Sequence, residues 1–170
     1  MSNYTIEQLT ALKALSEALP SLKIGGSISL NEWGVTNRPI ADIDIVVPYF
    51  SDLQTIDQLW GADFDFDYGE NMESSPVYMG TGDEVVSVRL RPLPNKARFQ
   101  VCGIDVCAFI GEDPIFKEVQ LFGLKFKVSH PKYAIEAKRR YLKALAEIAE
   151  KQPLSDAQKK RVQKHGADVV

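Results

Sequence analysis

The sequence predicts an α+β protein, with helices packed on a small mixed β-sheet and further helices at the C-terminal end. Two patterns predict this class. Apolar residues recur at helical spacing near both ends of the chain, and short apolar runs bounded by turn residues lie between them. The length of 170 residues suits one domain with a substantial core. We expect a core over residues 1–129 and a basic helical segment over residues 130–170 that packs on it.

A helix is predicted first, over residues 5–19. Thr5 and Gln8 are spaced as a capping box, in which each side chain accepts a hydrogen bond from the other residue's backbone N–H. Pro20 ends the helix, because proline cannot donate to the helical hydrogen-bond pattern. The apolar residues that recur at helical spacing, and that should face a core, are Ile6, Leu9, Leu12, Leu15 and Leu19.

Further helices are predicted later in the chain. A short one spans residues 51–60, with Ser51 as its N-cap and Gly61 as its stop. A long helix spans residues 131–151, and a last one begins near Ser155. The long helix should place four apolar residues on one face, namely Ile135, Leu142, Leu145 and Ile148.

Strands are predicted in the middle of the chain, in addition to an acidic strand described below. A hairpin turn is expected at Pro94-Asn95. The strands lie near residues 63–68, 76–79, 84–91, 97–110 and 119–128. In the first of them aspartates alternate with aromatic residues. We therefore expect the aspartates to lie in water and three aromatic side chains to point inwards: Phe64, Phe66 and Tyr68.

The cysteines and the apolar runs indicate a cytoplasmic protein. Cys102 and Cys107 fall on one predicted strand, and their odd spacing puts them on opposite faces, so they should not pair. Free buried thiols are typical of a reducing compartment. No run approaches the roughly 18 apolar residues of a membrane span, and no signal-peptide pattern is present, so we expect no membrane partner.

Two aspartates in the run Ile40–Val47 are the most informative chemical feature. Asp42 and Asp44 point to the same face of an extended strand, and the alternate apolar residues face a core. Side-by-side carboxylates repel each other, and a cation that neutralises them removes this cost. Oxygen ligands at this spacing suit Mg²⁺, which binds through one or two carboxylates plus substrate phosphates. An edge strand with a solvated acidic face is the plain structural alternative.

A Gly25-Gly26-Ser27 turn lies upstream of the acidic strand. Glycine permits backbone conformations closed to other residues and lets the chain approach a ligand closely. Ser27 is placed to cap a short helix over residues 28–33. A glycine turn that opens a helix presents unpaired N–H groups, which can bind phosphate. Because Gly-Gly pairs are usually ordinary turns, the feature is informative only together with the aspartates.

The glycine turn, the short helix and the Asp42-Ile43-Asp44 strand together resemble the polymerase-β-like nucleotidyltransferase superfamily, over roughly residues 20–130. Its small bacterial and phage members, of antitoxin and abortive-infection type, look most similar. The resemblance implies a nucleotidyltransferase fold for the core and a third carboxylate on a later strand. Asp105 fills that position in an otherwise apolar strand. A partly buried, hydrogen-bonded aspartate is the structural alternative.

The same resemblance assigns two basic residues to the site. Arg38 matches a basic residue often found just before the acidic strand, and Lys138 falls where relatives often carry a helix lysine near the phosphates. Lys164, His165 and Asp168 resemble a Lys-His-x-x-Asp signature of some small members, without an assigned role. The connection before the acidic strand is longer than in many relatives, which implies an enlarged loop.

The activity implied by the resemblance is transfer of a nucleoside monophosphate from a nucleoside triphosphate, ATP by default, to an acceptor hydroxyl, with release of pyrophosphate. The catalytic residues, which would also bind Mg²⁺ or Mn²⁺, are Asp42, Asp44 and Asp105. The residues that would bind the nucleotide are Gly25, Gly26, Ser27, Arg38 and Lys138. The acceptor stays open between a small molecule, a protein and an RNA, and so does the oligomeric state.

Two other functions fit the same motifs. One is a catalytically silent binding protein that keeps the fold and neutralises a partner, as an antitoxin would. The other is metal-dependent hydrolysis of phosphoesters, in which the same carboxylates would activate water. The two functions differ from transfer in their products, because neither would label an acceptor.

Charge is distributed unevenly along the chain. Residues 1–122 contain 8 basic and 18 acidic residues, whereas residues 123–170 contain 12 basic and 5 acidic ones, and the net charge of the whole chain is −3. The basic C-terminal part is suited to bind a triphosphate or a polyanionic acceptor. Lysines on the solvated faces of helices explain the same pattern without a ligand.

Overall fold

The computed structural model describes residues 3–65, 74–78, 85–89 and 94–168. It shows the predicted α+β architecture, a mixed sheet with helices packed on it and helices at the C-terminal end. The helices are α1 (Ile6–Ala18), α2 (Gly26–Glu32), α3 (Phe50–Trp60), α4 (Pro131–Lys151) and α5 (Asp156–Asp168). The strands are β1 (Lys23–Ile24), β2 (Ile43–Val47), β3 (Asp63–Asp65), β4 (Ser74–Tyr78), β5 (Val85–Arg89), β6 (Lys96–Val101), β7 (Ile104–Ile110), β8 (Phe116–Leu121) and β9 (Leu124–Ser129).

Seven of the described strands form one sheet in the order β3-β6-β7-β2-β1-β9-β8. Its centre is mixed, because β2 runs parallel to β7 and antiparallel to β1, while β1 runs parallel to β9. The outer pairs β3–β6, β6–β7 and β8–β9 are antiparallel. A separate antiparallel pair is formed by β4 and β5. The acidic strand β2 therefore lies at the middle of the sheet, where its two faces have different surroundings.

One face of the sheet carries the hydrophobic core. Ile43, Ile45 and Val47 of β2 are each 0% exposed, as the alternation predicts. They belong to a cluster with apolar residues of α1 and α3 that includes Leu12, Leu15, Leu53 and Ile56. The intervening residues of β2, Asp44 and Val46, point to the opposite face. That face is left for polar chemistry.

The ends of α1 and α4 agree with the sequence prediction. Thr5 caps α1 and forms the expected capping box with Gln8. Helix α4 has the predicted bounds, and of its expected apolar face only Leu145 is buried. The prediction of Ser51 as the cap of α3 is wrong. This helix begins at Phe50, and its N-cap is Tyr49, whose backbone N–H donates to the Asp52 side chain at 3.1 Å.

Two segments predicted as single strands are β-hairpins. The predicted strand over residues 97–110 is divided by a turn at Cys102-Gly103, and that over residues 119–128 by a turn at Phe122-Gly123. All four turn residues have positive φ angles, between 49° and 80°. Positive φ at both central positions matches the right-handed twist of the flanking strands, and it closes each hairpin in two residues.

The hairpin turn corrects the prediction for the cysteines. Cys102 lies in the turn and is exposed, so it is not a buried strand residue, while Cys107 is half-buried in β7. Both are free thiols, as expected. The prediction that Phe64 points inwards is also wrong, because this residue is 41% exposed. The corresponding predictions for Phe66 and Tyr68 fall outside the described residues.

Helices α4 and α5 pack against each other, and α4 also packs against α2. Through α2 the C-terminal helices reach the polar face of the sheet. None of the described helices combines the length and apolar character that crossing a bilayer requires.

Candidate functional site

The pairing of β1 with β2 places the glycine turn against the acidic strand. Ile24 pairs with Ile45, and the Gly25 backbone N–H donates to the Asp44 carbonyl oxygen at 2.9 Å. Helix α2 starts directly afterwards, with Gly25 as its N-cap. The prediction that Ser27 caps this helix is therefore wrong, and Ser27 lies half-buried within the first turn. The turn and the aspartate meet because sequence-distant strands are neighbours in the sheet.

Gly26 is in direct contact with the Asp44 carboxylate. Its φ angle is +57°, in the left-handed region that favours glycine. A β-carbon added at this position would lie 2.1 Å from the Asp44 Oδ2 atom and 2.8 Å from its Cγ. The close approach of backbone and carboxylate thus requires glycine at position 26.

The charge of Asp44 is disfavoured where it lies. Burial, followed by the negative charge of Asp42, raises the pKa of Asp44 from 3.8 to about 6. The positive charges of Lys138, Lys96 and Lys164 act in the opposite direction without cancelling the shift. Asp42 itself precedes β2 and is exposed. The two negative charges of the pair are therefore unfavourable together, and a bound cation would stabilise them.

Asp105 lies beside the pair, but it does not join it in one cluster. In the parallel ladder between β2 and β7, Asp44 is opposite Cys107, which puts Asp105 level with Asp42 and on the same face. Asp105 is exposed, and its Oδ1 accepts a hydrogen bond from the Gln100 Nε2 at 2.9 Å. Its neighbour in this structure is thus a side chain of β6. Among the described residues, no three Cys, His, Asp or Glu side chains are grouped closely enough to bind one metal ion.

The donor set fits a metal ion that takes only part of its ligands from the protein. Asp42 and Asp44 supply two carboxylates, and Mg²⁺ commonly binds through one or two carboxylates together with substrate phosphates and water. The raised pKa of Asp44 and the absence of space for a side chain at Gly26 agree with a cation and a ligand at this point. The hydrogen bond from Gln100 uses one carboxylate oxygen of Asp105 and does not involve the other.

A cavity of about 490 Å³ opens over this face of the sheet. Gly25, Gly26 and Asp44 line it from the glycine turn and β2, and Lys138 and Tyr141 line it from α4. Its volume is within the range of small-molecule sites in proteins. The remaining part of the wall includes Val46, Lys96, Phe109, Ser129 and His165.

The two basic residues that were predicted at the site, Arg38 and Lys138, are joined by one carboxylate. Lys138 lines the cavity directly, and its side chain is 10% exposed. Arg38 lies in the loop before β2, with its side chain 33% exposed. The same carboxylate, that of Asp168, pairs with both of them at 2.6 Å. The Lys-His-x-x-Asp segment is thus linked to both basic residues through Asp168, and its His165 lines the cavity.

Several site residues were not predicted from the sequence. Lys96 lines the cavity and lowers the pKa of Asp44, and no local pattern distinguishes it from other lysines. Ser129 also lines the cavity, and its buried Oγ has no hydrogen-bond partner among the described residues. A serine at the end of a strand and just before a helix could have suggested this position. A polar ligand in the cavity would satisfy the hydroxyl.

The two histidines have different surroundings. His130 lines the cavity and is the N-cap of α4, where its Nδ1 accepts a hydrogen bond from the Lys132 backbone N–H at 3.0 Å. His165 lies at the cavity, with its Nδ1 3.3 Å from the Lys138 Nζ. Burial and then the charges of Lys138 and Lys164 lower the pKa of His165 from 6.5 to about 4. His165 is therefore neutral near pH 7.

No protein-family model matches the chain, and no curated protein matches it at a significant level. The chain is similar in structure to a putative nucleotidyltransferase from Thermotoga maritima that has been solved by crystallography. The similarity has a TM-score of 0.53 and covers 85% of this chain and 89% of the other, at 20% sequence identity. At this identity the likeness concerns the fold alone, which this chain shares with that protein.

Proposed function

We propose that this chain is a metal-dependent nucleotidyltransferase, which moves a nucleoside monophosphate from a nucleoside triphosphate to an acceptor hydroxyl. The observation that carries the proposal is the contact between Gly26 and the Asp44 carboxylate at the edge of the cavity. A backbone turn without room for a β-carbon, next to two adjacent carboxylates, is suited to a triphosphate with its cation. The fold supports the same activity.

In this proposal Asp42 and Asp44 hold Mg²⁺ or Mn²⁺. When bound, the cation neutralises phosphate charge and lowers the pKa of the acceptor hydroxyl. The backbone N–H groups that follow Gly26 and the Ser27 hydroxyl bind phosphate oxygens. Lys138, which lines the cavity, binds them as well. Arg38 adds positive charge behind the phosphates.

The reaction itself is a displacement at the α-phosphorus. The acceptor oxygen forms a bond to this phosphorus, the bond to the bridging oxygen of the β-phosphate breaks, and pyrophosphate leaves. The hydroxyl proton goes to a carboxylate, for which we propose Asp105. Reactions of this type depend mainly on positioning and charge neutralisation, so no covalent enzyme intermediate is needed.

ATP is the first nucleotide to test, and the acceptor is to be sought among small molecules, proteins and RNA. We also propose a cytoplasmic location, which two free thiols favour.

The proposal is tested with α-labelled nucleoside triphosphates, Mg²⁺ or Mn²⁺, and a panel of acceptors. Wild type should transfer label to an acceptor, and the Asp42→Asn, Asp44→Asn double variant should not. The matched control is Asp63→Asn, because Asp63 is an exposed aspartate on β3. Calorimetry should show that metal and nucleotide strengthen each other's binding. Equal nucleotide affinity with and without metal contradicts the proposal.

The same experiment separates the other two functions. Release of phosphate or nucleoside monophosphate without a labelled acceptor would identify a hydrolase. A chain without turnover, which co-purifies with a partner even after loss of both aspartates, would identify a silent binding protein.

A further inference from the structure

Asp168, at the end of α5, is a buried carboxylate that joins two distant parts of the chain. The residue is 6% exposed. Its Oδ2 accepts hydrogen bonds from the Arg38 Nη2 and from the Lys138 Nζ, each at 2.6 Å. Burial raises the pKa of Asp168, but the hydrogen bonds from these two cations outweigh it and hold the pKa below its ordinary value. In the folded chain Asp168 is therefore negatively charged near neutral pH.

The Arg38 side of this link is fixed independently. The Asn31 Nδ2 of α2 donates to the Arg38 carbonyl oxygen at 2.6 Å, and the Arg38 N–H donates back to the Asn31 Oδ1 at 3.4 Å. Because α2 begins at Gly26, the loop that carries Arg38 is attached to the same helix that carries the glycine turn. Asp168 thus has one partner whose backbone is held in place.

The Lys138 side of the link faces the cavity. Lys138 lines the same cavity as Asp44, and its positive charge lowers the pKa of Asp44. A lysine ammonium has three donors. The Lys138 contacts in the described structure use two of them, one to Asp168 and one to the His165 Nδ1 at 3.3 Å. The His165 Nδ1 can accept this bond in the tautomer in which it carries no proton. The third N–H donor of Lys138 is then left for a ligand.

We propose that Asp168 is a positioning residue, whose carboxylate holds the Lys138 ammonium at the cavity wall where it meets the phosphates of the bound nucleotide. The inference rests on the proposed function, since it takes a triphosphate as the ligand. A free lysine side chain has many rotamers and loses that freedom on binding. An ammonium already held by Asp168 binds phosphate at a lower entropic cost.

The charges of Arg38, Lys138 and Asp168 favour a role of Asp168 in positioning Lys138 over a role in blocking the anion site. Arg38 and Lys138 carry two positive charges, and Asp168 carries one negative charge. The group therefore keeps an excess positive charge and attracts an anion while its members stay paired. A triphosphate does not need to displace Asp168 in order to contact Lys138.

The first test measures binding of inorganic tripolyphosphate with Mg²⁺ to the full chain, which avoids any assumption about the base. Asp168→Asn should weaken this binding about tenfold, the size expected for one charge-assisted hydrogen bond. The matched control is Asp156→Asn, because Asp156 is an exposed aspartate in the first turn of the same helix and should leave binding unchanged. In a Lys138→Met background, Asp168→Asn should have little further effect.

The second test follows the His165 pKa by NMR without any ligand. Lys138 lowers the pKa of His165, and Asp168 raises it. If Asp168→Asn releases Lys138 from its place, the His165 pKa rises above about 4, because the lost effect of Lys138 is larger than the lost effect of Asp168. Burial still holds this pKa below the ordinary value of 6.5. If Lys138 stays, the loss of the Asp168 charge lowers the pKa instead. The sign of the change reports where the lysine is, which a general loss of stability does not.

The outcomes are distinct. An unchanged tripolyphosphate affinity in Asp168→Asn, or a His165 pKa that falls or stays constant, overturns the inference. If wild type does not bind tripolyphosphate, the proposed function fails, and the His165 titration still decides whether Asp168 holds Lys138. If Asp168→Asn does not fold, Asp168→Glu keeps the buried charge and moves it by one methylene. That variant should show a smaller loss of affinity and a smaller rise of the His165 pKa, and wild-type values for both would overturn the inference.

Discussion

The backbone at Gly26 and the carboxylate of Asp44 are so close that a β-carbon at position 26 would lie 2.1 Å from the Asp44 Oδ2. The contact joins the start of α2 to the middle of the central strand β2. It places the first backbone N–H groups of α2, which carry partial positive charge, next to Asp44. The negative charge of Asp44 is disfavoured by burial. Two substitutions can separate the conformational from the steric part of this relationship.

Gly26→Ala should destabilise the chain more than a glycine-to-alanine change of the same backbone type elsewhere. The suitable control is Gly34→Ala, because Gly34 has a φ of +78° and open space where a β-carbon would be. The left-handed backbone alone costs about 1–2 kcal/mol. At Gly26 the steric overlap adds about 1–3 kcal/mol. Urea unfolding measures both, and equal losses in the two variants would contradict the close contact.

The stability of the chain should depend on pH through Asp44. Between its ordinary pKa of 3.8 and the folded-state pKa of about 6, the folded chain retains a proton that the unfolded chain has lost. The free energy of unfolding contributed by Asp44 therefore falls as the pH rises through this interval and stays low above it. His165 has the opposite effect, since its lowered pKa makes stability rise with pH between about 4 and 6.5.

The Asp44→Asn variant isolates the first of these contributions. Above the folded-state pKa of about 6 it should be more stable than wild type. A shift of this size corresponds to about 2–3 kcal/mol. The difference should vanish well below pH 3.8, where Asp44 is protonated in both states. Urea unfolding from acidic to mildly alkaline pH, with Asp63→Asn as the reference, checks this. A variant that is less stable than wild type above neutral pH would disprove a disfavoured Asp44 charge.

Local sequence patterns were sufficient to predict much of the fold. The bounds of α4 follow from Pro131 at its start and the periodicity behind it, and the capping box of α1 is fixed by residues three apart. The core-facing side of β2 follows from simple alternation. Each of these features depends on neighbouring residues only, which a single sequence contains in full.

The two hairpins were missed because their turns are atypical. Cys102 and Phe122 take positive φ angles of 51° and 49°, where asparagine, aspartate or glycine is more usual. The available signal was the glycine that follows each of them, inside an apolar run. Without an Asn-Gly or Asp-Gly pair, each hairpin looked like one long strand.

In the candidate site, too, features within short segments were predicted, whereas contacts between distant segments were not. The aspartate pair and the glycine turn were predicted because each lies within a short segment. The shared carboxylate of Asp168 was not, because it joins residues that are 130 and 30 positions away along the chain. The effect of Lys96 on Asp44 likewise depends on how strands meet across the sheet. Only tertiary packing brings these charges together.

The two thiols should differ strongly in reactivity. Cys102 is exposed in its turn, whereas burial and then the charge of Asp44 raise the pKa of Cys107 from 9.0 to about 11. Because the thiolate is the reactive form, a thiol reagent at pH 8 should label Cys102 rapidly and Cys107 slowly. Labelling of Cys102→Ser, followed by mass spectrometry, measures the slow site alone. Rapid labelling of Cys107 in the folded chain would contradict its predicted environment.

Asp105 provides the sharpest test of the catalytic assignment, because it lies level with Asp42 on the adjacent strand but hydrogen-bonds to Gln100. If it receives the acceptor proton, Asp105→Asn should lower transfer about 10²–10⁴-fold, the usual size of a general-base contribution. Nucleotide binding should stay close to that of wild type, since Asp42 and Asp44 are retained. The assay compares the rate of label transfer with the nucleotide affinity from calorimetry.

A matched control is Gln100→Leu, which removes the hydrogen-bond partner of Asp105 and leaves its carboxylate in place. This variant should transfer label at nearly the wild-type rate, because it keeps the Asp105 carboxylate that would accept the proton. An aspartate with a structural role predicts the reverse order, in which both substitutions change stability slightly and neither affects turnover. Transfer by Asp105→Asn within a few-fold of wild type would therefore remove Asp105 from the mechanism. It would leave the pair Asp42 and Asp44 as the proposed metal-binding residues.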